Sequence, residues 1–378
     1  MSDDLFARAM PKTPRPHQIE AVARLRAALA EGHKRVCLSL ATGAGKTFIA
    51  SMIVSGALAK GNRVCFTVPT LSLVDQTVRA FLAEGIDRIG VIQGNHPRRD
   101  AMAPVQVASV QTLARRDRPA ASVVIVDECH QRSEAVRRWM KEAPETVFIG
   151  LSATPGRDGM AGEYESLVVG ATTRELIDAK VLSSFRTFAA ASPDLAGVRT
   201  VAGDYHEGQL SQVMSGVRMV ADVVTTWLDK GEGRPTLCFA VDRAHARNLQ
   251  ADFEAVGVPC GYVDAHTDDV SRRLIAERFR KGELPVVVNV RCLTTGVDWD
   301  VRCIIMARPT KSTMLWVQMV GRGLRTARGK DDCVILDHSD NSLRLGFVSD
   351  IAFDLSIGTG SGPWIGVQEG PRCGCGEL

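Results

Sequence analysis

The chain has 378 residues, 45% of them hydrophobic and 24% charged, a balance that excludes a disordered chain and supplies about two domains. Lys and Arg number 46 against 43 Asp and Glu, a net charge of +3; so mild an excess does not announce nucleic-acid binding, and any basic surface has to be local. Aromatic residues at 5% argue against a single-strand platform built on base stacking.

The chain opens with Met1-Ser2-Asp3-Asp4, which lacks the basic and apolar regions of a signal peptide. No apolar stretch approaches the ~18 residues of a membrane span. The ten cysteines are scattered, and Cys37, Cys65, Cys238, Cys303 and Cys333 sit in apolar runs. They read as small buried hydrophobes of a reducing compartment, so a cytoplasmic protein is expected.

Pro14-Arg15-Pro16-His17-Gln18 precedes a helical pattern (Ile19, Ala21, Val22, Leu25, Leu29). Gln18 offers both an acceptor and donors, which suits an adenine edge; equally, it is a polar residue in a helix's first turn. The apolar run Val36-Cys37-Leu38 leads into Leu40–Thr47, Leu-Ala-Thr-Gly-Ala-Gly-Lys-Thr, and then into the helix-like Phe48–Ile53. Strand, Gly-rich turn and helix is the setting of a phosphate-binding loop. Thr42, Gly43, Ala44 and Gly45 would aim backbone N–H groups at phosphate oxygens, with the helix N-terminus behind them. Lys46 would reach the β- and γ-phosphates and Thr47 would hold Mg²⁺. Leu40 departs from the usual pattern, which begins with Gly at that position.

Val64–Val68 is a second buried strand, followed by Pro69-Thr70-Leu71 and a helix over 73–82; Val105–Ala108 is another, followed by Ser109–Leu113. Hydroxyls such as Thr70 and Thr112 at strand-to-helix turns serve as phosphate contacts or as helix caps. The strand Val123–Val126 delivers Asp127-Glu128-Cys129-His130 at its C-terminal end, where parallel sheets bind ligands. Asp127 would hold Mg²⁺, and Glu128 would orient and deprotonate an attacking water. Thr146–Leu151 continues the sheet into Ser152-Ala153-Thr154, with Ser152 or Thr154 near His130.

After a loop at 158–164 and a short helix at 173–178, a boundary is expected near residue 183. The second half repeats the α/β alternation: strands at 235–240, 262–264, 284–290 and 303–307, helices at 243–256 and 270–280, and no second phosphate loop. A helix then carries Gln318–Arg325. Arg322 and Arg325, three apart at or near a helix end, would share a face and suit phosphate charge in a transition state.

Together, Gln18, Ala41–Thr47, Pro69-Thr70, Asp127–His130, Ser152–Thr154, Thr295–Asp298 and Gln318–Arg325 resemble, in order and over residues 14–325, the motifs of a superfamily 2 helicase. Leu336–Asn341 with Leu345–Phe347 is similar to the RadD-type DNA-repair helicases. The resemblance implies an α/β fold of two tandem RecA-like domains, each a mainly parallel sheet flanked by helices: 1–183 with the ATP loop and the Asp-Glu-Cys-His box, 184–360 with the arginine finger, and 361–378 as a tail. It implies ATP and Mg²⁺, with Gly296 and Asp298 joining Gln18 and the loop in nucleotide binding. Pro69, Thr70, Thr112 and Thr294 would contact the phosphate backbone, of DNA (single-stranded or forked) ahead of RNA, with little sequence specificity. An ATP-gated clamp that grips nucleic acid without unwinding it would carry the same motifs. A P-loop kinase is disfavoured, because it needs no second α/β half with arginines. RadD-like chains carry a Cys-rich segment after the motor; here only Cys373 and Cys375 stand near the end, and two thiolates do not close a four-ligand zinc site.

Overall fold

The computed structural model describes residues 12–157, 159–189, 193–293 and 299–355. Thr294, Gly296 and Asp298, and the cysteine tail, lie outside them. By contacts the chain forms two compact units. The first runs to Thr172 and takes back the chain from Phe353; the second is Thr173–Ala352. The crossing thus falls ahead of residue 183, and a return crossing precedes residue 360. The return has a packing cause: Leu355 joins the core cluster of Trp139, Met140 and Met160, and Phe353 lies against Gly156.

In the first unit the order is α1 (Pro16–Ala30), β1 (Arg35–Leu40), α2 (Lys46–Leu58), β2 (Val64–Val68), α3 (Ser72–Ala83), β3 (Ile89–Ile92), β4 (Val105–Ser109), α4 (Val110–Leu113), β5 (Val123–Asp127), α5 (Glu134–Glu142), β6 (Val147–Ser152) and β7 (Ser166–Ala171). Among the described residues the sheet has seven parallel strands in the order β3-β4-β2-β5-β6-β1-β7. β2 and β4 are buried at every residue, and β1 at all but Arg35. Such continuous apolar runs are what a parallel sheet covered on both faces requires. Trp139 of α5 meets Phe148 of β6 edge to face, centroids 5.9 Å apart.

The second unit contains α6 (Thr173–Asp178), β8 (Ser184–Ala189), the antiparallel pair β9 (Thr200–Val201) and β10 (Asp204–Tyr205), α7 (Glu207–Met214), α8 (Val217–Lys230), β11 (Thr236–Phe239), α9 (Arg243–Ala255), β12 (Cys260–Val263), α10 (Asp269–Arg280), β13 (Val286–Asn289), β14 (Cys303–Met306), α11 (Thr313–Val320), β15 (Asp332–Asp337) and α12 (Asn341–Leu345). Its larger sheet, also parallel, has the order β12-β13-β11-β14-β15-β8. Asp332, at the start of β15, accepts from Arg186 of β8 and from Arg234 just ahead of β11, each at 2.5 Å. The expected fold class is therefore present in both units. No helix among the described residues is long and apolar enough to cross a membrane.

His338, directly after β15, is fully buried, and neither ring nitrogen has a hydrogen-bond partner among the described residues. Burial pushes its pKa down to about 4 from 6.5, against the pull of Asp337 and Asp222. The unfolded chain therefore binds a proton that the folded chain refuses between pH 6.5 and about 4, so stability falls with pH across that window. His338→Phe is expected to melt at the wild-type temperature or above at pH 7.5. It should also lose less of its melting temperature on acidification to pH 5. An equal loss in variant and wild type would contradict this.

Candidate nucleotide site and the arginine turn

Three adjacent strands, β5, β6 and β1, present their C-terminal ends side by side, so the phosphate loop, the paired acids and Ser152 come together. Gly43 and Gly45 are left-handed, with φ of 92° and 84°, a conformation glycine adopts without steric cost. A Cβ on Gly45 would also stand 2.5 Å from Gln18 Nε2. Leu40 is fully buried, and its Cδ2 lies 2.8 Å from where Gly170 of β7 would carry a Cβ. The departure from the usual first glycine is thus matched by a glycine on the neighbouring strand.

Lys46 Nζ donates to Glu128 Oε1 and stands 3.5 Å from Asp127 Oδ1. Burial works against its ammonium, but the two carboxylates override it and hold the pKa above the usual lysine value. Burial raises that of Asp127, opposed by Lys46. Glu128 sits just past β5 at φ 49°, and its N–H donates to Asp127 Oδ1 at 3.0 Å. His130 Nδ1 is hydrogen-bonded to Ser152 Oγ at 2.8 Å, and that hydroxyl accepts from Thr154 N at 3.0 Å; of the two hydroxyls expected near His130, it is Ser152 that bonds it. Burial pushes His130 down to about 4, so it is neutral at neutral pH.

Gln18 Nε2 donates to Ala44 O at 3.2 Å and its Oε1 accepts from Arg15 N at 2.9 Å. His17 Nε2, unassigned from the sequence, is also within 3.0 Å of Ala44 O; its only sequence signal was its place beside Gln18. Thr42 is half-buried and Thr47 exposed beside Lys46. Thr47 and Asp127 carry oxygen donors, the ligand type Mg²⁺ takes when phosphates and water complete its shell. No cluster of three or more His, Cys, Asp or Glu able to hold a metal occurs among the described residues.

Pro69 is buried and Thr70 exposed at the end of β2, with Thr70 Oγ1 3.0 Å from Ser72 Oγ. Thr112 is half-buried; its N–H donates to Ser109 Oγ at 3.1 Å and its hydroxyl lies 3.0 Å from the same oxygen. Ser109 therefore caps α4. Asp337 accepts from the N–H and hydroxyl of both Ser339 and Ser342, and Asn341 Nδ2 donates to Arg308 O at 3.0 Å. The Asp-His-Ser-Asp-Asn stretch is thereby folded on itself.

Arg322 and Arg325 are not on a helix. α11 ends at Val320, and both arginines lie on the turn that follows. The glycines account for this: a Cβ on Gly323 would come 2.4 Å from Cys333 Sγ and 2.8 Å from Ile304 Cγ1, so the backbone there is pressed against β14 and β15. The shared helix face does not exist. Arg322 is buried and Arg325 half-buried.

Two parallel α/β units, the first with a phosphate loop beside a strand-end acid pair, define the class of tandem RecA-like proteins. Residues 11–157 match the family model "Type III restriction enzyme, res subunit", and residues 217–327 match "Helicase conserved C-terminal domain". The chain belongs to the superfamily 2 helicases. It is 30% identical over 350 residues to the "Putative ATP-dependent helicase IRC3" of Saccharomyces cerevisiae, covering 85% of this chain and 51% of that one. The chain thus spans about half that relative's length. Among solved structures it is similar to a fragment described as "a putative HsdR subunit of a type I restriction enzyme from Vibrio vulnificus YJ016" (TM-score 0.68, 21% identity, 88% of this chain and 67% of that one). It is also similar to the ATP-dependent Type ISP restriction-modification enzyme LlaBIII bound to DNA (TM-score 0.64, 18% identity, 86% and 28%). At these identities the structures speak for the fold.

Proposed function

We propose that the chain is an ATP-dependent DNA motor, a translocase or helicase of the RadD-like kind, that couples ATP hydrolysis to movement along a strand. The observation that carries this is the Lys46–Glu128–Asp127 cluster at adjacent strand ends, beside two left-handed glycines, in a chain of this family. Thr42, Gly43, Ala44 and Gly45 cradle the phosphates, and Gln18 reads the adenine while bracing Ala44. Lys46 leaves Glu128 for the β- and γ-phosphates, which frees the Glu128 carboxylate to take a proton from the attacking water. Thr47 and Asp127 would hold Mg²⁺ together with the phosphates, and the ion would supply neutralising charge to the phosphoryl oxygens. Ser152 keeps His130 aligned behind Glu128. Arg322 and Arg325 supply charge to the γ-phosphoryl in the transition state. Gly296 and Asp298 serve the nucleotide, and Pro69, Thr70, Thr112 and Thr294 the DNA backbone; the two compact units, divided at Thr172 and again at Phe353, are the motor halves.

The test is the ATPase rate alone and with single-stranded, duplex and forked DNA and with RNA, followed by strand displacement on the best activator. Stimulation by DNA is expected. Stimulation without displacement would mean an ATP-gated clamp or a translocase that does not unwind. A rate indifferent to every nucleic acid would overturn the motor reading.

Lys46→Ala is expected to weaken ATP binding about 30-fold or more, the consequence of deleting a buried partner of phosphate charge. It also leaves Asp127 and Glu128 without their shared cation, so turnover is lost as well. Isothermal titration with ATP decides. Unchanged affinity would place the phosphate loop elsewhere.

A further inference from the structure

We infer that Lys330 is a positioning residue for Arg322 and Arg325, its ammonium clamping the backbone of the turn that carries them. The inference rests on the proposed role of the two arginines. Lys330 is half-buried; lysine is usually exposed, and an ammonium withdrawn from water needs acceptors for its three donors. Lys330 Nζ donates to Val301 O and Arg325 O, each at 2.7 Å, and to Gly323 O. One cation therefore joins the entry to β14 to two carbonyls of the arginine turn.

The opposite side of the turn is held too. Ser183 N donates to Leu324 O at 2.7 Å, Ser183 Oγ to Arg325 O at 3.3 Å, and Leu182 forms an isolated antiparallel bridge with Arg325. Gly323 has no room beneath it, between Cys333 and Ile304. Beyond the turn, Arg302 donates to Arg328 O at 2.9 Å and to Gly329 O at 2.7 Å, so the loop that brings Lys330 back is itself fixed.

The partners of Lys330 are carbonyl dipoles rather than carboxylates, and burial lowers its pKa from the usual lysine value. An apolar residue at this place would avoid that desolvation cost. A cation here is accounted for by what it does to geometry: it holds two carbonyls two residues apart on the turn whose side chains must meet a phosphoryl group. Displacing a catalytic group by ~1 Å costs on the order of 10²-fold in rate, so slack in this turn is expensive even with both arginines present.

The test compares DNA-stimulated ATP turnover, affinity for a non-hydrolysable ATP analogue, and melting temperature. The proteins are wild type, Lys330→Met, Arg322→Gln/Arg325→Gln, and that pair combined with Lys330→Met. Turnover of Lys330→Met is expected to fall roughly 10²-fold with analogue affinity unchanged, because the phosphate loop is untouched. In the background lacking both arginines, Lys330→Met is expected to remove nothing more. If the arginine pair is slow and Lys330→Met runs at the wild-type rate, the inference fails and the proposed function stands. An arginine pair that runs at the wild-type rate removes the role assigned to those residues, and the inference with it. A loss from Lys330→Met that is undiminished without the arginines means a general structural role and overturns the inference. Should Lys330→Met fail to fold, Lys330→Gln, which keeps an amide donor without the charge, is judged on the same outcomes.

Discussion

Glu128→Gln binds ATP and turns it over about 10²–10⁴-fold more slowly than the wild type, the range a positioned general base contributes. The amide keeps the shape of the carboxylate and an acceptor for Lys46, so the site should survive the change. What is lost is basicity: a neutral amide takes no proton from water. The geometry adds a direction to the binding result. Glu128 holds Lys46, so a phosphate that takes Lys46 must displace that pair. With the charge removed, Lys46 is released more easily and ATP affinity holds or rises. Equilibrium ATP binding measured beside DNA-stimulated turnover checks both halves. Near-normal turnover would remove Glu128 from the chemistry; lost binding would mean that its charge is needed to build the loop.

Arg325→Ala is expected to cut stimulated turnover by roughly 10³–10⁵, the worth of an arginine finger, with ATP affinity nearly intact. The turn keeps its shape without the side chain, because Lys330 and Ser183 hold the backbone carbonyl and not the guanidinium. The variant therefore reports the loss of charge and fork geometry. Arg325→Lys should not restore the rate fully, since a point charge does not reproduce the planar fork. Stimulation by DNA should disappear together with the basal rate. An Arg325→Ala protein that hydrolyses ATP at the wild-type stimulated rate would exclude the residue from the reaction.

The parts of the fold legible in the sequence were those whose chemistry is local. Val123–Val126 ending in two acids reads as a covered parallel strand because both its faces need apolar residues, and it is β5. The helix at 173–178 and the glycine-lysine-threonine turn were equally plain. β7 escaped notice, since as an edge strand it is only partly buried and its pattern is irregular. The end of α11 was misplaced for a different reason: Met314–Val320 is apolar enough to continue, and what stops it is the contact of Gly323 with Cys333 and Ile304, a matter of packing between distant segments. The same division runs through the site. Lys46, Asp127 and Glu128 carry their chemistry in their side chains and in their strand-end positions. Lys330 reads in the sequence only as one more charge of a basic face with Arg322, Arg325 and Arg328, because its partners are carbonyl oxygens of residues 301, 323 and 325, and every residue has a carbonyl. His17 was visible only as a neighbour of Gln18.

The chain enters the second unit at Thr173 and leaves it at Ala352, and near those two points Arg174 is ion-paired with Asp350 and donates to Ser349 Oγ at 3.2 Å. β8 and β15, the first and last strands of its larger sheet, lie side by side over their whole lengths. A segment whose two ends already meet is a cassette. Residues 173–352 should be excisable as one piece, closable by a short linker, and reopenable at an exposed turn such as Gly257 without disturbing the sheet. The molecule is, in its covalent plan, one α/β module spliced into another, and each splice point is where the chain is expected to tolerate being cut and rejoined.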